Sequence, residues 1–260
     1  MGTILSFVNQ KGGVGKTTSA VNVAASLGVL GKKVLLADID PQGNATSGLG
    51  VYKRQLTCGA LEALLGKVPT SQAIIHTEFK NLDLLPSTMA LAAAELDLGE
   101  IEDGEYSLKK ALEQVKADYD YIIVDCPPSL GLLTVNVLIA SDGVIIPMQC
   151  EFYSLEGLSQ LITTVKKIKS HYNDRLDVAG ILITMYNPRL LLSMQVMHEL
   201  KTYYKDKLFS TQISRNVKLS EAPGFGKPVY YTTRSQKGHR SILTLRKSSS
   251  DASERSAVAF

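Results

Sequence analysis

Between an apolar, β-branched run from Ile4 to Val8 and a helix-length stretch from Thr17 to Leu30 lies Lys11-Gly12-Gly13-Val14-Gly15-Lys16-Thr17-Thr18. A glycine turn alone often does no more than cap a helix. Strand, glycine loop, Lys-Thr and helix in this order predict a phosphate site. Glycines let successive backbone N–H groups converge on an anion, and the helix N-terminus adds the positive end of its dipole. Lys16 can then reach terminal phosphates, and the Thr17 hydroxyl can ligate Mg²⁺. The usual spacing G-x-x-x-x-G-K-[ST] is not met, because Asn9, Gln10 and Lys11 stand where the earlier glycine would fall. Lys11 is informative for another reason. A cation near a helix N-terminus is disfavoured by the dipole, so a second lysine here brings no local stability.

Short, nearly continuous apolar runs recur at Val34–Ala37, Leu82–Leu85, Tyr121–Val124, Val144–Pro147, Val178–Ile183 and Phe209–Ile213. Such runs are expected of strands covered on both faces. Between most of them lie amphipathic stretches of helix length, at Ser107–Ala117, Leu132–Ala140, Leu155–Lys169 and Leu191–Tyr204. The alternation predicts an α/β fold: a mostly parallel, twisted sheet with helices on both faces. Ligands of such sheets sit at the carboxyl ends of strands. The segment Gln42–Gly66 and the turn Glu102–Gly104 read as surface loops.

Carboxylates fall where that rule places them. Asp38 and Asp40 alternate after the second run, and Asp125 ends Tyr121–Val124 ahead of Cys126-Pro127-Pro128-Ser129. An acid at a strand end is often only a turn former. Three polar elements in order, each after a strand, point instead to one phosphate and metal constellation.

Length and charge bound the rest. A chain of 260 residues with 45% hydrophobic composition can bury one sizeable core without a second domain. Cys58, Cys126 and Cys150 form no C-x-x-C pair, which fits a reducing cytoplasm, and no apolar run is long enough to span a bilayer. Residues 1–180 hold 15 Lys/Arg against 20 Asp/Glu, whereas residues 181–260 hold 13 against 5. The basic character is concentrated in the last third, which makes that part a candidate for nucleic-acid phosphates.

The motif K-G-G-V-G-K-T-T resembles the deviant Walker A motif of the ParA/MinD class. Together with Asp38 to Asn44, Asp125 to Ser129, Glu151 to Gly157, Thr184 to Asn187 and Arg215 to Pro223, it is similar to the ParA/Soj family of DNA-partitioning ATPases from Met1 to about Arg234. The resemblance implies a single P-loop NTPase domain over 1–234, with ATP and Mg²⁺ as cofactors. It implies that Lys11 to Thr18 and Asn187 contact nucleotide, and that Thr17, Asp40 and Asp125 serve the metal. Lys11, Lys16 and Asp40 would then be catalytic: Asp40 positions the attacking water, and Lys11 reaches the partner's nucleotide across a homodimer. Arg189, Arg215 and Lys218 match positions of DNA-contacting basic residues. The implied activity is an ATPase, weak alone, stimulated by DNA and a ParB-type partner. Its ATP-bound dimer would bind double-stranded DNA nonspecifically, in the cytoplasm on the nucleoid. Ser214 stands where the family pattern has proline, beside the adenine.

Two relatives of other function fit less well. A MinD-like membrane ATPase needs an amphipathic C-terminal helix, and the tail supplies only Ile242, Leu243 and Leu245, so no stable membrane association is expected. An iron–sulfur reductase needs paired cysteines, which the chain does not have. Residues 235–260 carry no sustained helical period. A shifted reading frame admits codons for an amphipathic segment from Gln236 onward, so the tail reads as a frameshift product and is expected to be poorly ordered.

Overall fold

A computed structural model describes residues 2–232. The strands are β1 (Thr3–Phe7), β2 (Val34–Asp38), β3 (Ile75–His76), β4 (Leu82–Leu85), β5 (Tyr121–Asp125), β6 (Gly143–Met148) and β7 (Asp177–Ile183). They form one sheet in the order β3-β4-β2-β5-β1-β6-β7. Every neighbouring pair is parallel except β3 with β4. The helices are α1 (Lys16–Val29), α2 (Asn44–Gly48), α3 (Ala60–Leu64), α4 (Thr70–Ala73), α5 (Ala94–Glu100), α6 (Ser107–Glu113), α7 (Leu132–Ala140), α8 (Ser154–His171), α9 (Leu191–Tyr203), α10 (Val217–Glu221) and α11 (Val229–Thr232).

Although the central strands are largely apolar, their period of two sorts the side chains into separate layers. Ile4, Leu35, Ala37, Ile122 and Val124 pack with residues of α6, α7, α8 and α9. Leu5, Phe7, Val34, Leu36 and Ile123 pack on the other face, mainly against Ala20, Val21 and Ala24 of α1. Phe7 is completely buried, and its truncation to alanine would cost about 3–5 kcal/mol. The winding places the site. From β1 the chain moves outward through β2 to β4, returns to β5 between β2 and β1, then crosses to β6 on the other side of β1. The crevice at this reversal, outside the carboxyl ends of the strands, is where doubly wound sheets bind ligands.

Two expectations change, and one strand is added. Phe209–Ile213 is not a strand: Phe209 N–H donates to Ile181 O at 3.1 Å and Ile213 N–H to Ile183 O at 2.8 Å. Four residue steps therefore face two on β7, and the segment bulges away from any regular ladder. Gln42–Gly66 is not simply a surface loop, since it contains α2 and α3 and buries Ala45, Thr46, Leu49, Ala60, Ala63 and Leu64. The antiparallel strand β3 is an addition, two residues long and too short for a period to show. The expectation for the tail, 235–260, lies outside the described residues. Among the described residues, no helix is long and apolar enough to cross a membrane.

Candidate active site

The glycine loop joins β1 to α1. Gly15 is the residue before the helix, at φ 85 and ψ 26, a left-handed conformation that L side chains rarely adopt. No side chain caps α1, so the N–H groups of its first turn are left for a ligand. The ends of β6 and β7 hold the loop from behind. Gln149 Nε2 donates to Gly13 O at 2.8 Å, and the Thr184 hydroxyl lies 2.8 Å from Val14 O and 3.2 Å from Met148 O. Asn9 Nδ2 donates to Pro147 O at 2.7 Å, while its Oδ1 accepts from Lys11 N–H at 2.9 Å.

The two lysines point to different surroundings. Lys16 is buried, and its Nζ donates to Lys11 O at 3.2 Å, closing the loop on itself. Burial lowers its pKa, against the opposing pull of Asp125, Cys126 and Asp40. Lys11 has 44% of its side chain exposed and pairs with Glu151, which lies after β6. It does not fold into its own phosphate loop.

Asp125 closes β5 and is fully buried, yet neither carboxylate oxygen has a hydrogen-bond partner. The Thr17 hydroxyl is its neighbour without forming a bond of ordinary geometry. Burial, reinforced by the charge of Asp38, holds the Asp125 carboxyl well above the usual carboxylate range. An orphaned buried carboxylate beside a threonine hydroxyl is a hard-oxygen donor set, and the charge of a divalent cation would restore the ionised form. The residues present therefore fit Mg²⁺. Asp40 is 5% exposed, and its Oδ1 accepts from Gln42 N–H at 2.9 Å. Beside the loop is a cavity of about 270 Å³, lined among others by Gly13, Gly15, Thr18, Met185, Arg215 and Asn216.

A family model described as an AAA domain matches residues 2–178. Sporulation initiation inhibitor protein Soj of Bacillus subtilis is 51% identical over 247 residues, covering 95% of this chain and 98% of Soj. The chain belongs to the Soj/ParA family of chromosome-partitioning proteins. Chromosome-partitioning ATPase Soj of Treponema pallidum is 50% identical, with 88% of this chain and 89% of that protein covered. Among solved structures, cobyrinic acid a,c-diamide synthase of Mycobacterium smegmatis, with bound ATP analogue and magnesium, is 36% identical. It aligns with a TM-score of 0.83 over 94% of this chain and 92% of that one.

Within this Soj/ParA chain, Lys16, Thr17, Asp40 and Asp125 fall into one electrostatic neighbourhood. Asn187 does not join them. It is exposed and absent from the cavity lining, and its Oδ1 accepts from Arg189 N–H at 3.1 Å, turning the chain toward α9. Met185 and Asn216 line the cavity instead, with Ser214. Arg189, Arg215 and Lys218 are all exposed. Their two loops run side by side, with Tyr186 N–H donating to Ile213 O at 3.0 Å. Arg215 borders the cavity, its guanidinium 3.7 Å from Met185 Sδ. Residue patterns placed Asp38 among the carboxylates but passed over its role and over Thr46, whose hydroxyl donates to Asp38 Oδ2 at 2.7 Å. The signal available was Asp38 itself, an acid that ends an otherwise wholly apolar strand.

Proposed function

We propose that this protein is an ATP-dependent dimerisation switch for DNA partitioning, with Mg²⁺ held through Thr17 and Asp125. The first-turn N–H groups of α1 and Lys16 take the phosphates, and the cavity beside Met185 and Asn216 takes the base. When bound, Mg²⁺ offsets phosphate charge, and Asp40 orients the attacking water in a reaction that needs mostly positioning and neutralisation. The likeness to a protein solved with an ATP analogue and magnesium supports these cofactors.

The observation that carries the reading is the direction of Lys11. Its ammonium lies at the surface, paired with Glu151 rather than turned into its own loop, so exchanging that surface pair would bring it to a nucleotide on a facing subunit. Dimerisation would bring together two copies of the edge that bears Arg189, Arg215 and Lys218. A doubled set of cations binds DNA phosphate without reading sequence, and more tightly than either half. A ParB-type partner then stimulates hydrolysis, and the ADP-bound monomer leaves the DNA.

The test is the mass in solution, by light scattering after size exclusion. Wild-type protein is expected to be dimeric with Mg²⁺ and a nonhydrolysable ATP analogue and monomeric with ADP. Lys11→Ala is expected to bind the analogue yet stay monomeric. A Lys11→Ala protein that dimerises like wild type overturns the reading.

A further inference from the structure

The loop that carries Asp40 is fastened at both ends to one side chain. Asp38 Oδ2 accepts from the Thr46 N–H and from the Thr46 hydroxyl, each at 2.7 Å, while Oδ1 accepts from Asp40 N–H at 3.3 Å. Thr46 Oγ1 in turn accepts from Ser87 N–H at 2.9 Å, just beyond β4. Asp38, Thr46 and Ser87 are exposed by 0%, 0% and 2%, so these bonds form away from competing water.

Within the loop, Asp40 O accepts from Gly43 N–H at 2.8 Å, and Lys53 Nζ donates to Gln42 O at 2.6 Å. Gly43 has φ 59, and a Cβ there would come within 2.8 Å of Ser87 O. The loop is thus pressed against the residues after β4 as well as tied to β2.

Asp125 is the register partner of Asp38 across β2 and β5, and its situation is the reverse. Asp125 has two oxygens without partners, whereas Asp38 has three donors aimed at it. A carboxylate so occupied has little left for a cation or a water. We propose that Asp38 is a positioning residue which, acting through Thr46, holds the Asp40 loop where hydrolysis requires it. This rests on the hydrolytic reading above. A displacement of about 1 Å at a group that orients a reactant can lower the rate about a hundredfold.

The experiment compares Thr46→Val, which keeps the shape and removes the hydroxyl, with Thr46→Ser, which keeps the hydroxyl. Turnover, KM for ATP and the affinity for a fluorescent ADP analogue are measured with Mg²⁺, beside the thermal midpoint of each protein. Thr46→Val is expected to lower kcat about tenfold or more, while KM and the ADP affinity stay within about twofold. Thr46→Ser is expected to recover most of kcat. A purely structural role would lower kcat and nucleotide affinity together, in step with the thermal midpoint, and that result overturns the proposal. So does unchanged kcat in Thr46→Val with an active wild type. Wild type without ATP turnover would remove the hydrolytic reading itself. If Thr46→Val is not folded at the assay temperature, Asp38→Asn makes the same test, with the same split between kcat and affinity.

Discussion

At the carboxyl ends of β1, β2 and β5, Lys16, Asp40 and Asp125 are buried, and the Gln149 and Thr184 side chains after β6 and β7, with Thr46 of α2, hold the neighbouring loops. Along the outer edge of β7, by contrast, Arg189 and Arg215 stand in solvent on loops and Lys218 on the short α10, all joined to the sheet by scattered bonds. The inner region needs fixed distances, because a phosphate, a cation and a water must meet. If it meets DNA as proposed, the outer region needs only charge within reach of a phosphate backbone, whose attraction tolerates imprecise placement. Damage should accordingly be steep and specific in the first region and graded, salt-dependent and additive in the second.

The largest effect is expected from Lys16→Ala. It removes the buried ammonium that closes the loop, and nucleotide affinity should fall by about a hundredfold or more, as read by titration with a fluorescent ATP analogue. Asp40→Ala should lower kcat by about a hundredfold while leaving nucleotide affinity nearly unchanged. It should also accumulate as an ATP-bound dimer in size exclusion. A monomeric Asp40→Ala in ATP would mean that Asp40 belongs to dimer assembly, and the contrast between the two regions would blur.

The outer edge gives a smaller and different effect. Arg189→Glu with Lys218→Glu should weaken DNA retention by about tenfold or more in moderate salt while ATP-dependent dimerisation persists. For the wild type, affinity should fall steeply with salt, and the slope should flatten in the double variant, by roughly one unit for each phosphate that is no longer neutralised. Retention that does not change would place the DNA surface elsewhere on the dimer.

The unequal legibility of the two regions has the same origin. Gly12, Gly13, Gly15, Lys16 and Thr17 make a local site: strand, turn and helix follow one another in the chain, so the motif carries its own geometry. Asp125 was legible because an acid ending a buried strand stands out. Asp38 was visible but not its role, since Thr46 and Ser87 become its neighbours only when the loop after β2 folds onto β4. For the same reason, Gln42–Gly66 looked like a surface loop: its burial depends on residues distant in sequence. Phe209–Ile213 had the composition of a strand, but its two bonds to β7 are out of step. Asn187 stands in a matching motif, and the local turn to Arg189 takes its side chain from the cavity.

The smallest effect is on stability against pH. Burial lifts the Asp38 carboxyl to about 6, above its ordinary 3.8. A folded-state pKa raised for an acid means that the folded chain binds a proton which the unfolded chain releases. Its contribution is therefore fully present below about 4 and lost as pH rises through about 6. Without nucleotide, the thermal midpoint of wild type relative to Asp38→Asn should fall between those limits and then level off. A relative midpoint that rises over that range would show that the three donors outweigh burial.

The central claim is that nucleotide state controls the outer edge through the inner site. The most direct measurement is retention of one nonspecific DNA duplex by wild-type protein with Mg²⁺ and, in turn, ADP, ATP or a nonhydrolysable ATP analogue, at fixed salt. Retention should be strongest with the analogue, weaker with ATP as turnover proceeds, and least with ADP. Equal retention in all three would contradict the account.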